Sequence, residues 1–413
     1  MRSWSKWLGI GAAVGIISAL VPVVRGRIGD IDLRDPLAKF ERQPAARPEI
    51  DLGKLDLTRL ELEPRHVTAP LGNGKHVELT LDPELQRSAE SVMKRYRLPE
   101  AGAVLMDVKS GELLVYASYV NKGERFDVNA VAEAPAASVF KVVTGAALVE
   151  EAGLNARTEQ CYRGGKSRIQ QDELRDDPKR DKWCASLAMA MGRSINVVFA
   201  RLAKKHLTPE KLSAMGGAFG FGAPVPFAVP NEASRIQIPA NDLDFARTAA
   251  GFWNTSLSPL AAVSLAQTVA NRGVTLEPRI VSKVMEGREV LWEASGPPSV
   301  LRHAIKPSTA REVTRMMIQT VASGSAFKSF HDGRGNAFIP GVEIAGKTGT
   351  LTRHKKNRHY TWFVGFAPAD KPEVAVSALV VNTPVWRIKG PHLAREVLRA
   401  YFAKKGLRGV SPP

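Results

Sequence analysis

Ser138-Val-Phe-Lys141, Ser194-Ile-Asn196 and Lys347-Thr-Gly-Thr350 stand in that order along the chain, and read together they decide its fold. In the first, serine and lysine lie three residues apart, which on a helix puts both side chains on one face. A serine opening a helix is an ordinary N-cap. With an unprotonated lysine beside it, the same hydroxyl becomes a nucleophile. Lys141 lies among Val139, Phe140, Val142 and Val143. Burial among them would lower its pKa towards the neutral amine that a general base requires. Ser194 and Asn196 bring a second hydroxyl and an amide, just ahead of the apolar run Val197-Val-Phe-Ala200. Ile195 separates the two, so they face one cleft only from a turn. Lys347, Thr348 and Thr350 put a cation and hydroxyls on a strand-like stretch in which Gly346 and Gly349 let a ligand approach the backbone. These are the parts of an acyl transfer through a serine ester. The 8 histidines show neither triad nor metal spacing, so a Ser-His-Asp mechanism is not supported and no metal is expected.

Working outward, residues 84–97 have helical spacing. Residues 101–108 and 112–118 are strand-like on either side of Lys109-Ser-Gly111, a hairpin signal. Residues 138–151 read as an apolar helix stopped by Gly153, and residues 186–205 and 259–271 as further helices, the last stopped by Gly273. Near the C-terminus, residues 343–350, 361–366 and 374–381 read as strands and residues 393–402 as a closing helix. Strands at both ends with helices between predict an α/β chain of the α+β type, built on one sheet assembled from distant parts of the sequence.

The ordered set S-x-x-K, S-x-N, K-T-G is a signature of penicillin-binding proteins and class A β-lactamases, where the middle element usually reads S-D-N. The chain resembles the transpeptidase domain of penicillin-binding proteins, a serine acyl-transferase family shared with serine β-lactamases, from about residue 77 to about 405. Leu79-Thr-Leu-Asp-Pro-Glu-Leu-Gln86 is similar to the family's domain opening, and Gly102-Ala-Val-Leu-Met-Asp107 with Ser110-Gly-Glu-Leu-Leu to its first hairpin. Ser258-Pro-Leu260 and Val269-Ala-Asn-Arg-Gly273 resemble the helix after the second motif, and Tyr360-Thr-Trp-Phe-Val-Gly-Phe-Ala-Pro368 the strand after the third. Two places depart from the pattern: Ala136-Ala137 stands where many relatives have Pro-Gly, and Val128-Asn129-Ala130 where Asn-Arg-Ala is expected.

The resemblance implies a β-lactamase/transpeptidase-like fold: a central, mostly antiparallel sheet flanked by helices, with an all-helical subdomain. It implies a peptidoglycan D,D-transpeptidase in which Ser138 attacks a donor stem peptide, or a D,D-carboxypeptidase if water resolves the ester, with β-lactams as acylating inhibitors. Lys141 is then the base, and Ser194 passes a proton between lysine and leaving group. Lys347 gives electrostatic support, and Asn196 contacts the substrate amide. Thr348, Gly349 and Thr350 form the strand that binds substrate, with the threonines on its terminal carboxylate. The backbone N–H groups of Ser138 and Thr350 form the oxyanion hole. No cofactor is implied. A serine β-lactamase stays open as an alternative. It needs a deacylating group such as a glutamate, and the context of Glu173 does not match. A non-catalytic β-lactam sensor or wall scaffold is the other alternative.

The formal charge of +17 suits an anionic partner, and without a nucleic-acid motif an anionic envelope is favoured over nucleic acid. Residues 7–24 are uncharged and, at 18 residues, just long enough to span a bilayer, which takes about 17–25. A cleaved signal peptide and a buried helix are the alternatives, and the lack of a small-x-small cleavage site after the run favours an uncleaved anchor. The expected organisation is a cytoplasmic tail (1–6), a transmembrane signal anchor (7–24), a stalk (25–76), the transpeptidase domain (77–405) and a C-terminal tail (406–413). No room is expected before residue 77 for a glycosyltransferase module or a pedestal domain, so a glycosyltransferase would be a separate partner. The catalytic body would lie outside a single-pass cytoplasmic membrane anchor. Cys161 and Cys184 are either two unrelated thiols or a disulfide, and the exported compartment favours the disulfide. Arg353-His-Lys-Lys-Asn-Arg-His359 is either a solvated hairpin tip or a contact, through Lys355, Lys356 and Arg358, for an anionic strand or lipid.

Overall fold

The computed structural model describes residues 51–165, 168–353 and 357–413. Three short strands come first: β1 (Glu61–Leu62), β2 (Val67–Gly72) and β3 (Lys75–Leu79). Helix α1 (Pro83–Arg95) follows, capped by the Asp82 carboxylate, which accepts the backbone N–H groups of Glu84 and Leu85 at 3.0 and 3.1 Å. Strands β4 (Glu100–Asp107) and β5 (Leu113–Val120) are the expected hairpin. The middle of the chain is mostly helical, with α2 (Lys141–Ala152) ahead of a short ribbon of β6 (Glu159–Tyr162) and β7 (Trp183–Ser186). Then come α3 (Leu187–Arg193), α4 (Asn196–His206), α5 (Pro209–Ala218), α6 (Asp242–Ala249) and α7 (Pro259–Ala270). Strands β8 (Val274–Leu276), β9 (Val281–Glu286), β10 (Glu289–Glu293) and β11 (Val300–His303) lead to α8 (Pro307–Ala322) and α9 (Phe327–Phe330). The chain closes with β12 (Ala345–Arg353), β13 (Arg358–Ala367), β14 (Val374–Asn382) and α10 (Gly390–Lys404).

The framework is a five-stranded sheet in the order β12-β13-β14-β4-β5, antiparallel throughout. Along β14, Val376, Ala378 and Val380 pack in one apolar cluster with Leu85 of α1 and Leu398 of α10. Ala375, Leu379 and Val381 belong to the opposite cluster, with Phe140, Leu202 and Leu260 of the helical side. A strand buried on both faces has no polar face to present, which is why Val-Ala-Val-Ser-Ala-Leu-Val-Val is apolar but for Ser377, whose hydroxyl donates to the Pro259 carbonyl at 2.7 Å. Strand β12 lies at the sheet edge, hydrogen-bonded on one side only to β13. It is this edge strand that carries Lys347-Thr-Gly-Thr350.

Three expectations need correction. The stretch from residue 61 to 76, expected as stalk, instead forms strands that join β9 and β10 in a second five-stranded sheet, ordered β1-β2-β3-β9-β10. Its alternation is short but real, with Val67, Ala69, Leu71, Val77 and Leu79 all buried. A domain start at residue 77 would cut the β2–β3 hairpin in two. The helix expected over 186–205 is broken at Ser194, which is left-handed at φ 56°. The helix expected to start at Ser138 begins instead as a 3-10 turn over Ala137–Phe140, so Ser138 is not its cap. The anchor expected at 7–24, like residues 25–50 of the stalk, lies outside the described residues. Among the described residues no helix is long and apolar enough to cross a membrane.

Cys161 and Cys184 face each other across β6 and β7 and are joined as a disulfide. The insertion between them is tied to α4 by charge: Arg201, fully buried, donates to Asp181 at 2.6 and 3.0 Å, and Arg163 donates to the same carboxylate at 2.8 Å. The Arg201 hydrogen bonds hold the Asp181 carboxyl well below the usual carboxylate range.

Candidate active site

Ser138 sits in a turn clamped from three directions. Ala137 beside it takes φ 50°, a left-handed conformation that strains an alanine by about 1–2 kcal/mol. Behind the turn lies Gly251, where a Cβ would stand 2.3 Å from the Ala137 carbonyl oxygen and 3.1 Å from the Ser138 Cα. From the sheet side, a Cβ on Gly349 would touch Val139 at 3.2 Å and the Ala136 carbonyl at 3.3 Å. The third clamp is the Trp362 indole, which donates to the Pro135 carbonyl at 3.0 Å. At residue 251 only glycine permits so close an approach, and at residue 349 any larger residue would press on the turn.

Four of the side chains singled out in the sequence converge on this turn. Lys141 Nζ lies 2.8 Å from Ser138 Oγ, 2.7 Å from Asn196 Oδ1 and 2.5 Å from the Ala250 carbonyl. The amide oxygen and the carbonyl can only accept, so each takes one N–H of the amine. Burial, reinforced by the charge of Lys347, pushes the Lys141 amine well below its ordinary pKa. Once neutral, the amine has its lone pair left to face Ser138 and receive the hydroxyl proton. The Phe199 ring, with its centroid 5.8 Å from Nζ, closes the apolar side.

Ser194 reaches the cluster because of its left-handed break. The α3 helix ends there, Ile195 is extended, and α4 restarts at Asn196, so hydroxyl and amide turn towards one point. Ser194 Oγ donates to Ser138 Oγ at 3.0 Å, and Lys347 Nζ donates to Ser194 Oγ at 3.0 Å and to the Thr348 carbonyl at 2.9 Å. Two hydroxyls in series thus run between two lysines, both fully buried. Burial pulls Lys347 down to about 7. Such a wire can carry a proton either way near neutral pH.

Thr348, Gly349 and Thr350 follow along the edge strand, with Thr350 exposed and Thr348 Oγ1 2.6 Å from Ser325 Oγ. Sequence reading missed Ala250, Gly251, Trp362 and Ser325. The first two act through backbone, which leaves no side-chain signal, although the glycine itself is visible. Glu173 is committed elsewhere: its carboxylate accepts the backbone N–H groups of Gly165 and Gln170, both at 2.8 Å. In the basic hairpin, Arg358 is paired with the Glu100 carboxylate through both of its terminal nitrogens and so is not held for an outside anion. Lys355 and Lys356 lie outside the described residues. Among the described residues no group of His, Cys, Asp or Glu side chains is placed to hold a metal ion.

Comparison with known proteins identifies the family and the fold. The chain is 27% identical over 346 residues to a peptidoglycan D,D-transpeptidase PbpA of Mycobacterium tuberculosis, covering 75% of this chain and 68% of that protein. It is 26% identical to the stage V sporulation protein D of Bacillus subtilis, over 76% of this chain and 50% of that one. Among solved structures, the D,D-transpeptidase domain of a peptidoglycan glycosyltransferase from Eggerthella lenta superposes with a TM-score of 0.65 at 26% identity, covering 80% of this chain and 84% of that one. The ceftriaxone acyl-enzyme of penicillin-binding protein A from Mycobacterium tuberculosis shares the fold at a TM-score of 0.64 and 23% identity, over 78% and 79% of the two chains. Residues 101–403 match the penicillin binding protein transpeptidase domain, and the chain belongs to that family.

Proposed function

We propose that this chain is a peptidoglycan D,D-transpeptidase working through an ester on Ser138. The observation that carries the reading is the setting of Lys141: a buried amine with two obligate acceptors and one hydroxyl as neighbours, so that neutralisation leaves its lone pair on Ser138. Ser138 Oγ attacks the penultimate D-alanine carbonyl of a donor stem peptide while its proton passes to Lys141 Nζ. The charge that forms on the carbonyl oxygen is stabilised by the backbone N–H groups of Ser138 and Thr350. Collapse breaks the peptide C–N bond. Ser194 Oγ gives its proton to the departing D-alanine nitrogen and is resupplied from the neighbouring lysines. An amine of a second stem then attacks the ester, loses its proton along the same wire and restores Ser138. Thr348, Gly349 and Thr350 hold the donor strand and its terminal carboxylate, and Asn196 contacts the substrate amide.

With water as acceptor, the same site is a D,D-carboxypeptidase. β-Lactams acylate Ser138 and leave slowly, a reading supported by the commitment of Glu173 to backbone amides rather than to a deacylating water. The same proposal places residues 7–24 as a membrane anchor, the body outside the cytoplasmic membrane, and a separate glycosyltransferase as partner. The uncharged run at 7–24 and the disulfide support that placement. The test is incubation with a stem pentapeptide and an acceptor amine, reading D-alanine release and the joined product by mass. Release with product supports the transpeptidase; release with hydrolysis alone makes it a carboxypeptidase. No release from wild type refutes both.

A further inference from the structure

Ser325 lies on the loop after α8, far in sequence from the three motifs, yet its hydroxyl touches Thr348 at 2.6 Å. The loop has little freedom to put it anywhere else. The Ser325 N–H donates to the Gly192 carbonyl at 2.9 Å. A Cβ on Gly324 would fall 2.2 Å from that same carbonyl oxygen, and one on Gly192 would fall 2.7 Å from the Gln319 side chain. Two glycines therefore lock the end of α8 onto the last turn of α3, one residue short of the break at Ser194. One joint sets both the relay hydroxyl of Ser194 and the hydroxyl beside Thr348.

Two hydroxyls in contact share two hydrogens. One lies between the oxygens, and the other is left to donate outward. When Ser325 donates inward, the Thr348 O–H is turned out of the pair and strengthened as a donor by the bond it accepts. A donor in that state favours a charged oxygen over a neutral one, because a hydrogen bond to an ionised acceptor is about twice as strong. We infer that Ser325 is a positioning residue that sets the preference of Thr348 for a substrate ending in a free carboxylate. This rests on the transpeptidase reading above, in which Thr348 meets that carboxylate.

The experiment compares a stem-peptide donor ending in D-alanine with the same peptide ending in D-alaninamide, on wild type, Ser325→Ala, Ser325→Thr, Thr348→Val and the double variant. Labelling by a fluorescent penicillin and the unfolding midpoint are checked for each. Ser325→Ala is expected to lower kcat/KM for the acid about tenfold, mostly through KM, and to leave the amide within about twofold, the scale of one weakened hydrogen bond to a charge. Ser325→Thr restores the preference, since it returns the hydroxyl. Ser325→Ala adds nothing further once Thr348→Val has removed its partner. An equal fall on acid and amide, no fall on either, or additive losses in the double variant would each overturn the inference. Wild type that takes no penicillin and releases no D-alanine would instead bring down the transpeptidase reading on which it stands.

Discussion

Alanine at residue 137 is the sharpest place to test the backbone around the nucleophile, because its neighbour provides the control. Ala136 and Ala137 are both buried, at 0% and 1% exposure, but Ala136 has φ −61° and Ala137 φ 50°. Replacing either by glycine removes one buried methyl, worth about 0.8 kcal/mol, and frees the unfolded chain by about 0.4–1 kcal/mol more. Ala136→Gly should therefore lose roughly 1–2 kcal/mol, the sum of those two terms. Ala137→Gly loses the same but also releases the left-handed strain of about 1–2 kcal/mol, and should come out near neutral. The difference between the variants is thus the strain itself. Urea unfolding of both, with unchanged slopes, reads it directly. Equal losses at the two positions would mean that residue 137 is not left-handed, and the clamped turn at Ser138 would have to be redrawn. The same logic explains why glycine suits residue 137, and nothing in the structure explains the alanine that this chain carries there.

Lys347 makes stability depend on pH. Its folded pKa is lowered from 10.5 to about 7, so between those values the unfolded chain binds the extra proton and stability rises with pH. Urea midpoints measured from pH 7 to 10 should climb in wild type and climb less in Lys347→Met; identical slopes would refute the buried amine. Arg201→Met removes two of the four hydrogen bonds that the buried Asp181 carboxylate accepts, and should cost about 3–5 kcal/mol, against little for Arg180→Met at the surface. Replacing Cys161 and Cys184 by serine opens a link with a sequence separation of 23 and should lower stability by about 3 kcal/mol. An unchanged unfolding midpoint with and without reductant would contradict it.

Much of the site was legible because chemistry there is carried by side chains at short spacing. Serine and lysine three apart, the second serine with its asparagine, and the Lys-Thr-Gly-Thr strand are each local patterns, and the structure brings all of them to one point. The end strands were legible too, since β4, β5, β13 and β14 are long and bounded by turn residues. What stayed hidden was hidden for physical reasons. The break at Ser194 lies in a sequence whose apolar periodicity runs on past it, and only the Ser-Ile-Asn spacing, which needs a turn to face both side chains into one cleft, hints at it. The strands of the second sheet run 2 to 6 residues, too short for an alternation to stand out from a polar stalk. The Ala250 carbonyl and the Ser325 hydroxyl are brought in by tertiary packing, and neither belongs to a spacing that a reader of the chain can count.

The most direct test of the central claim is a time course of labelling and release with a fluorescent penicillin, on wild type and Ser138→Ala side by side. Wild type should take one label per chain and release it slowly, and the variant should take none. A label that persists in Ser138→Ala, or fast release with drug hydrolysis, would contradict it.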